Sequence, residues 1–96
     1  MSYVIKYHPD VKVKDIPELD YAIKQRIKKA IETKLSKAPQ DYGEPLRKTL
    51  KGYWKLRVGD YRIIFRISND KVFILGIKHR KEVYKIISER ISSHLN

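Results

Sequence analysis

The chain has 96 residues, 42% hydrophobic and 34% charged, a composition typical of a small folded protein rather than a disordered one. Lysine and arginine number 22 against 11 acidic residues, so the net charge is +11 and we expect an anionic partner: nucleic acid, an acidic protein segment or an anionic membrane. The lack of cysteine excludes disulfides and thiolate metal sites, and the three scattered histidines, His8, His79 and His94, lack the spacing of a metal site. With no signal-peptide core and no apolar run of ~18 residues, we expect one cytoplasmic domain over residues 1–96, without metal or cofactor.

The first part of the sequence predicts a strand followed by helices. Residues 3–7 are apolar and β-favouring and predict a short strand. After it, Asp10 could cap a short helix, and Pro17 would interrupt that helix or open another. From Asp20, a plausible N-cap, a longer helix is predicted to run to near Ala38. Its apolar residues recur every four positions, at Ile23, Ile27, Ile31 and Leu35.

The middle of the sequence predicts an irregular connection and then three strands. Residues 39–52 contain prolines and glycines and have no clear period. The hydrophobic period then changes to two, over residues 53–58, 61–68 and 71–78. The pairs Gly59-Asp60 and Asn69-Asp70 between these strands are typical of tight antiparallel hairpins.

Residues 82–95 predict a final helix. Its apolar side carries Val83, Ile86, Ile87, Ile91 and Leu95. The fold class is therefore α+β: an N-terminal strand, one or two helices packed on a mostly antiparallel sheet with a three-stranded meander, and a C-terminal helix.

The first predicted hairpin places two arginines opposite each other. A two-residue turn at Gly59-Asp60 pairs Arg57 with Arg62, and like charges in this arrangement destabilise a hairpin. Solvent or acidic neighbours could relieve the repulsion, or the face could bind a phosphate through forked hydrogen bonds. Because side chains alternate along a strand, the core face is predicted to carry Trp54, Leu56, Val58, Tyr61, Ile63, Phe65 and Ile67. The opposite face combines a basic strip with an apolar patch, which the C-terminal helix or a partner could cover: Lys55, Arg57, Arg62 and Arg66 beside Ile64, Phe73, Leu75 and Ile77.

A second basic cluster follows the last strand, in the stretch IKHRKEVYK. The end of the third strand of a meander lies beside the start of the second, so we expect His79, Arg80 and Tyr84 to converge with Arg62. Histidine exchanges protons near neutral pH, arginine stabilises phosphate charge, and tyrosine can stack on a base or orient a hydroxyl. Taken singly, His79 could be an exposed loop histidine and Tyr84 a core residue, so the functional interpretation depends on the convergence.

The stretches LKGYWKLRVGDYRIIFRI and ILGIKHRKEVY, together with the order of elements, resemble the RelE/ParE superfamily of toxin–antitoxin toxins. The resemblance covers nearly the whole chain. It implies a ribosome-dependent endoribonuclease that cuts messenger RNA in the ribosomal A site, by attack of the ribose 2′-OH on the adjacent phosphate without metal. It also implies an acidic, partly disordered cognate antitoxin in a hetero-oligomer, with residues 39–52 and the apolar part of the sheet as candidate contacts.

The resemblance further implies roles for individual residues. Lys55 resembles the family's functional lysine before the glycine turn, Arg62 its transition-state arginine, and Tyr84 its tyrosine after the last strand. The reaction needs a base, an acid and stabilisation of a dianionic phosphorane. Lys55 would be the base, Arg62 and Arg80 would supply charge, and His79 or Tyr84 would be the acid. The RNA-binding residues are expected to be Arg57, Arg66, Lys78, Lys81 and Lys51.

Two positions depart from the family pattern. Tyr53 stands where classical members carry a second lysine two residues before Lys55. Lys78 stands where they place an arginine at the end of the last strand, with Arg80 two residues later. These departures leave the identity of the acid and the base open.

Two other functions fit the same sequence. A ParE-type toxin would share the fold but would poison DNA gyrase by binding it. A non-catalytic module could instead bind nucleic acid through phosphate contacts from a basic helix face. That face carries Lys24, Lys28, Lys29 and Lys34, although such a face is usually only solvated.

Overall fold

The structure is a computed structural model that describes residues 2–95, except the side chains of Thr49 and of residues 93–95, so those of His94 and Leu95 lie outside the described part. Five strands form one sheet in the order β1-β5-β4-β3-β2. β1 runs parallel to β5, and the other neighbours are antiparallel. The predicted α+β class is confirmed. The strands are β1 (Val4–Tyr7), β2 (Glu44–Pro45), β3 (Trp54–Val58), β4 (Tyr61–Ser68) and β5 (Lys71–His79).

The long predicted helix begins where the sequence indicates. Asp20 is the N-cap of α1 (Tyr21–Ala30), and its Oδ1 accepts a hydrogen bond from the Ile23 amide at 2.9 Å. The chain continues directly into a π-helical turn, Ile31–Leu35. All four residues of the predicted apolar stripe are buried. They pack on one face of the sheet against Leu56, Val58, Ile63 and Phe65, as expected.

The segment before this helix has the short helical turns that the sequence predicts, whereas the segment after it is more ordered than the sequence suggests. Before it, a π-helical turn (Val11–Asp15) leads into a 3-10 turn (Ile16–Glu18), although Asp10 makes no side-chain capping bond. After it, the connection predicted to be irregular contains α2 (Pro39–Tyr42) and the edge strand β2.

The first hairpin has the predicted register. Val58 pairs with Tyr61, and Arg57 pairs with Arg62. Gly59 has φ of 59°, in the left-handed region that glycine enters without steric cost. The sequence therefore located both the turn and the opposed arginines.

A bulge in β5 changes which side chains share a face. Leu75 is an extra residue between two successive pairs with β4, so the alternation of faces reverses after it. Leu75 and Phe73 pack with Ile64 on the basic face, as expected. Ile77 lies instead opposite Ile63 in the core under α1. The prediction that Ile77 shares the basic face was wrong, because the period-two pattern does not reveal a bulge.

The last helix, α3 (Val83–Leu95), covers the apolar patch on the basic face of the sheet. Val83 and Ile87 are fully buried and pack against Ile64 and Leu75. The apolar part of this face is therefore occupied by the chain itself, whereas basic residues remain at its margin. Within residues 2–95, no helix has both the length and the apolar character needed to cross a membrane.

Candidate active site

Lys55 and Tyr84 meet where β3 passes beneath the first turn of α3. The Lys55 Nζ donates a hydrogen bond to the Tyr84 hydroxyl oxygen, with 3.3 Å between them. Val83, the residue before Tyr84, is fully buried and fixes this turn on the sheet, while Tyr84 itself is 42% exposed. The fold thus brings an amine and a phenol together at a place that solvent or a substrate can reach.

A cleft of about 440 Å³ opens beside this pair. The strand β2 and the segment after it form the opposite wall of the cleft. In this segment the Leu46 amide donates a hydrogen bond to the Tyr53 carbonyl, with 2.8 Å between nitrogen and oxygen. Arg47 in this wall adds a cation that the sequence reasoning did not single out. No periodic signal indicates Arg47, because its place in the cleft depends on the short pairing of β2 with β3.

Arg57 and Arg62 lie on the same face of the sheet as Lys55, and each has a partner. The Arg57 Nε lies 3.6 Å from the Glu44 Oε1. The Arg62 Nη1 donates to the carbonyls of Gly59 at 3.0 Å and Tyr61 at 2.9 Å. One carboxylate and two carbonyls therefore relieve the repulsion between the opposed arginines. Arg57 is two residues from Lys55 along β3, about 7 Å, and Arg62 is its partner on β4, so both arginines lie on the sheet face that carries Lys55.

Of the three residues expected to converge with Arg62, His79 and Arg80 lie at the first hairpin turn and do not join Tyr84, which lies at Lys55. His79 pairs with Tyr61 at the end of β5, and its ring packs edge-on against Tyr61 with 5.5 Å between centroids. Because Tyr61 faces the α1 core, His79 lies on the other face of the sheet from Tyr84. The Arg80 amide donates to the Asp60 carbonyl at 2.8 Å, and its Nε lies 3.8 Å from the Asp60 carboxylate. Both residues border the first hairpin turn rather than the cleft.

Lys78 is buried in an ion cluster rather than displayed for RNA. It is 7% exposed, and its Nζ lies 3.2 Å from carboxylate oxygens of both Asp15 and Glu18. Burial alone would lower the pKa of Lys78, but hydrogen bonds and charge from Asp15 and Glu18 outweigh it, so the pKa is raised. Lys78 is therefore a charged structural residue in this fold, and we leave it out of the RNA-binding set proposed below.

The remaining residues predicted to bind RNA are exposed. Arg66 lies on the basic face with its guanidinium carbon 5.9 Å from the Phe73 ring centroid. Lys51 precedes β3, and Lys81 follows β5. Within residues 2–95, no three histidine, aspartate or glutamate side chains are grouped so that they could hold a metal ion.

The fold is that of RelE-type toxins. The toxin–antitoxin complex RelBE2 from Mycobacterium tuberculosis contains a chain that superimposes with a TM-score of 0.77 and 29% identity, over 83% of this chain and 100% of that one. The family described as "ParE toxin of type II toxin-antitoxin system, parDE" matches residues 5–84. The chain therefore belongs to this family, and the resemblance to the RelE/ParE superfamily is confirmed.

Two curated relatives carry RelE-type names. Toxin RelG of Mycobacterium tuberculosis is 40% identical over 53 residues, which cover 53% of this chain and 61% of RelG. Toxin RelE3 of Methanocaldococcus jannaschii is 34% identical over 76 residues, covering 75% of this chain and 85% of RelE3. The chain thus spans less than two thirds of RelG but most of RelE3.

Proposed function

We propose that this toxin is a metal-independent endoribonuclease that cuts messenger RNA in the ribosomal A site and so inhibits translation. The observation that carries the proposal is the contact of Lys55 with Tyr84 at 3.3 Å, on a sheet face that also presents Arg57 and Arg62. Cleavage by a ribose 2′-OH needs a base, an acid and stabilisation of negative charge, and an amine, a phenol and two guanidinium groups can supply them. The relatives Toxin RelG and Toxin RelE3 carry RelE-type names, which is consistent with a RelE-type rather than a ParE-type toxin.

The proposed reaction forms one bond and breaks one. Lys55 accepts the proton of the 2′-OH, and the oxygen attacks the adjacent phosphorus. Arg62 stabilises the dianionic phosphorane; its guanidinium has five N–H donors, so Nε and Nη2 can face the phosphate while Nη1 stays on the turn. The bond from phosphorus to O5′ then breaks, and Tyr84 gives its proton to O5′. The products are a 2′,3′-cyclic phosphate and a 5′-hydroxyl.

The geometry favours Tyr84 over His79 as the acid. Tyr84 lies on the sheet face that carries Lys55 and Arg62, whereas His79 packs against Tyr61 on the other face. Arg80, beside Asp60 at the hairpin turn, is better placed to contact RNA next to the site than to touch the reacting phosphate. Arg57, Arg66, Lys51 and Lys81 complete the proposed RNA-binding set.

The ribosome would supply the alignment that this small protein lacks. The cleft beside Lys55 is an open surface feature of about 440 Å³. Alignment of the 2′-OH with the leaving oxygen supplies a large part of the rate in such reactions. A ribosome that presents the message in a fixed conformation would provide it.

We also propose that an acidic, partly disordered antitoxin neutralises the toxin in a hetero-oligomer. The net charge of +11 favours such a partner, and the RelBE2 structure is itself a toxin–antitoxin complex. Because α3 covers the apolar patch of the sheet, the segment between α2 and β3 is the more accessible of the two contact regions expected from the sequence.

The family description favours a second candidate, a ParE-type poison of DNA gyrase. The two functions make different demands on Lys55 and Tyr84. RNA cleavage needs the amine and the hydroxyl themselves, whereas binding to gyrase needs only a surface of suitable shape and charge.

The test is to add purified toxin to ribosomes carrying a defined message and to map cuts by primer extension. We expect cuts in the A-site codon, lost in Lys55→Met, Tyr84→Phe and Arg62→Ala. Lys85→Met serves as the matched control, because it removes one exposed lysine in the turn that carries Tyr84. If wild-type toxin leaves the message intact but inhibits gyrase supercoiling, the ParE-type function is correct. If it does neither, both are wrong.

A further inference from the structure

A buried carboxylate, Asp15, connects three separate elements of the fold. It is 1% exposed, and its Oδ2 accepts hydrogen bonds from the Ile77 amide at 2.8 Å and from the Arg90 Nη1 at 2.7 Å. Its Oδ1 accepts from the Arg90 Nη2 at 2.6 Å and lies 3.2 Å from the Lys78 Nζ. The π-helical turn, β5 and α3 therefore all meet at one side chain.

Arg90 is the helix side of this connection and is itself only 7% exposed. Besides its fork on Asp15, its Nη1 donates to the Leu75 carbonyl at 3.1 Å, and its Nε lies 3.7 Å from the Asp10 carboxylate. These charges raise the pKa of Arg90, chiefly through the hydrogen bonds to Asp15. The Leu75 carbonyl is at the bulge of β5, so α3 is bound to the sheet where the strand is irregular.

Such a cluster is not explained well by stability alone. Buried ion pairs are often no more stabilising than apolar residues of the same volume, because both charges lose their hydration. What a bidentate guanidinium–carboxylate pair does supply is direction. The apolar contacts of Val83 and Ile87 hold α3 on the sheet but leave its rotation and sliding less defined, since such contacts are non-directional.

The rotation of α3 determines where the Tyr84 hydroxyl lies. Tyr84 and Arg90 are on the same helix, separated by less than two turns. Rotating a helix by about 15° moves a side chain on its surface, roughly 6 Å from the axis, by about 1.5 Å. A shift of this size is enough to break the 3.3 Å contact between Tyr84 and Lys55.

We propose that Asp15 and Arg90 are positioning residues for the active site: their buried pair fixes α3 so that the Tyr84 hydroxyl lies at Lys55. The inference rests on the proposed ribonuclease function. Neither residue would touch RNA in the cleft, since both are buried and neither lines it. Their effect would pass through Tyr84 alone.

The test combines activity with a direct measurement of the contact. Arg90→Lys keeps the charge but loses the fork, and Asp15→Asn keeps the shape but loses the charge. Ile87→Val is the control, because it weakens the packing of the same helix without touching the ion pair. We call Arg90→Lys and Asp15→Asn the anchor variants. In single-turnover cleavage on ribosomes, we expect the rate constant to fall about 10- to 100-fold in both, with little change in KM. In Ile87→Val the rate constant should stay within about twofold of the wild-type value.

A second readout separates positioning from a general loss of stability. In a Tyr84→Phe background the hydroxyl is absent, so adding Arg90→Lys should lower the residual rate constant, measured at high toxin concentration and long incubation, by less than about twofold. The proposal would be overturned if the rate losses of Tyr84→Phe and Arg90→Lys multiplied in the double variant. It would also be overturned if the Arg90→Lys protein were as active as the wild type. If Arg90→Lys does not fold, the same comparison made with Asp15→Asn decides.

The contact itself can be measured without any activity. Nuclear Overhauser effects between 13C-labelled Tyr84 and Lys55 should be present in the wild type and in Ile87→Val, and lost in both anchor variants. If the toxin cuts no RNA, these effects still decide the positioning claim: their loss supports it, and their persistence in the anchor variants contradicts it. A failure of the proposed function is thereby distinguished from a failure of this inference.

Discussion

Replacing Gly76 with alanine tests how closely α3 lies on β5. A Cβ at Gly76 would be 2.4 Å from the Ile87 Cδ1 and 3.0 Å from the Arg90 Nη1. Neither neighbour can move easily, because Ile87 is fully buried and Arg90 is bound to Asp15. We expect overpacking to cost about 1–3 kcal/mol of unfolding free energy. This exceeds the gain of about 0.4–1 kcal/mol that alanine provides by restricting the unfolded chain.

Urea and thermal unfolding, followed by circular dichroism, measure this cost. For a domain of this size, a loss of 1 kcal/mol lowers the melting temperature by roughly 4–8 °C. Ile87→Val removes the clashing Cδ1 and by itself should cost about 0.5–1.5 kcal/mol. The double variant should therefore be more stable than the sum of the single losses indicates. A Gly76→Ala protein as stable as the wild type, or a double variant with additive losses, would refute the close approach of α3.

Three further predictions concern stability. Asp20→Ala should lower the unfolding free energy in urea by about 1 kcal/mol, and Asp20→Asn by much less, because asparagine also caps helices. Gly43→Ala should lower the melting temperature, since the new Cβ would lie 2.6 Å from the Cζ of the buried Phe65 ring. An unchanged melting temperature would contradict that packing. Against the effect of burial, the pKa of Lys78 is raised by Asp15 and Glu18, and the pKa of Tyr7 is raised by burial and by Glu32. Both groups therefore contribute to the free energy of unfolding below about pH 10, and this contribution is lost as pH rises further. Urea unfolding at about pH 8 and about pH 11 should show the loss, which Tyr7→Phe should reduce.

The sequence predicts most of the fold where the signals are local. The period of four in α1, the cap at Asp20 and the two-residue turn at Gly59 each depend on neighbouring residues, and the structure confirms all three. The opposition of Arg57 and Arg62 follows from the turn length alone. Local chemistry therefore sufficed for the helix, the hairpin register and the basic face.

What the sequence could not reveal depends on distant residues. The bulge at Leu75 arises from how β5 lies against β4 and moves Ile77 to the other face. Asp15 and Arg90 are separated by 75 positions, and no spacing rule connects them. Lys78 looked like an RNA-binding lysine because its carboxylate partners, the buried Asp15 and the exposed Glu18, come from the distant segment before α1.

The sequence did not predict how the candidate site residues are grouped. Adjacency in a meander suggested that Tyr84 would join His79 and Arg80 near Arg62. The structure places Tyr84 at Lys55, since α3 begins over β3 and its later residues, Ile87 and Arg90, pack on β5. The direction of a helix across a sheet is decided by packing, here by Val83 and the Gly76 contact, and not by the helix's own sequence period.

The most direct test of the account uses a message whose target codon carries 2′-deoxyribose at the nucleotide that should supply the attacking hydroxyl. Wild-type toxin on ribosomes should cut the all-ribose message and leave a 2′,3′-cyclic phosphate and a 5′-hydroxyl, identified by mass spectrometry. The deoxy-substituted message should stay intact, and the Lys55→Met protein should cut neither. Cleavage of the deoxy-substituted message, or products ending in a 3′-hydroxyl, would contradict attack by the 2′-OH and the roles given to Lys55 and Tyr84.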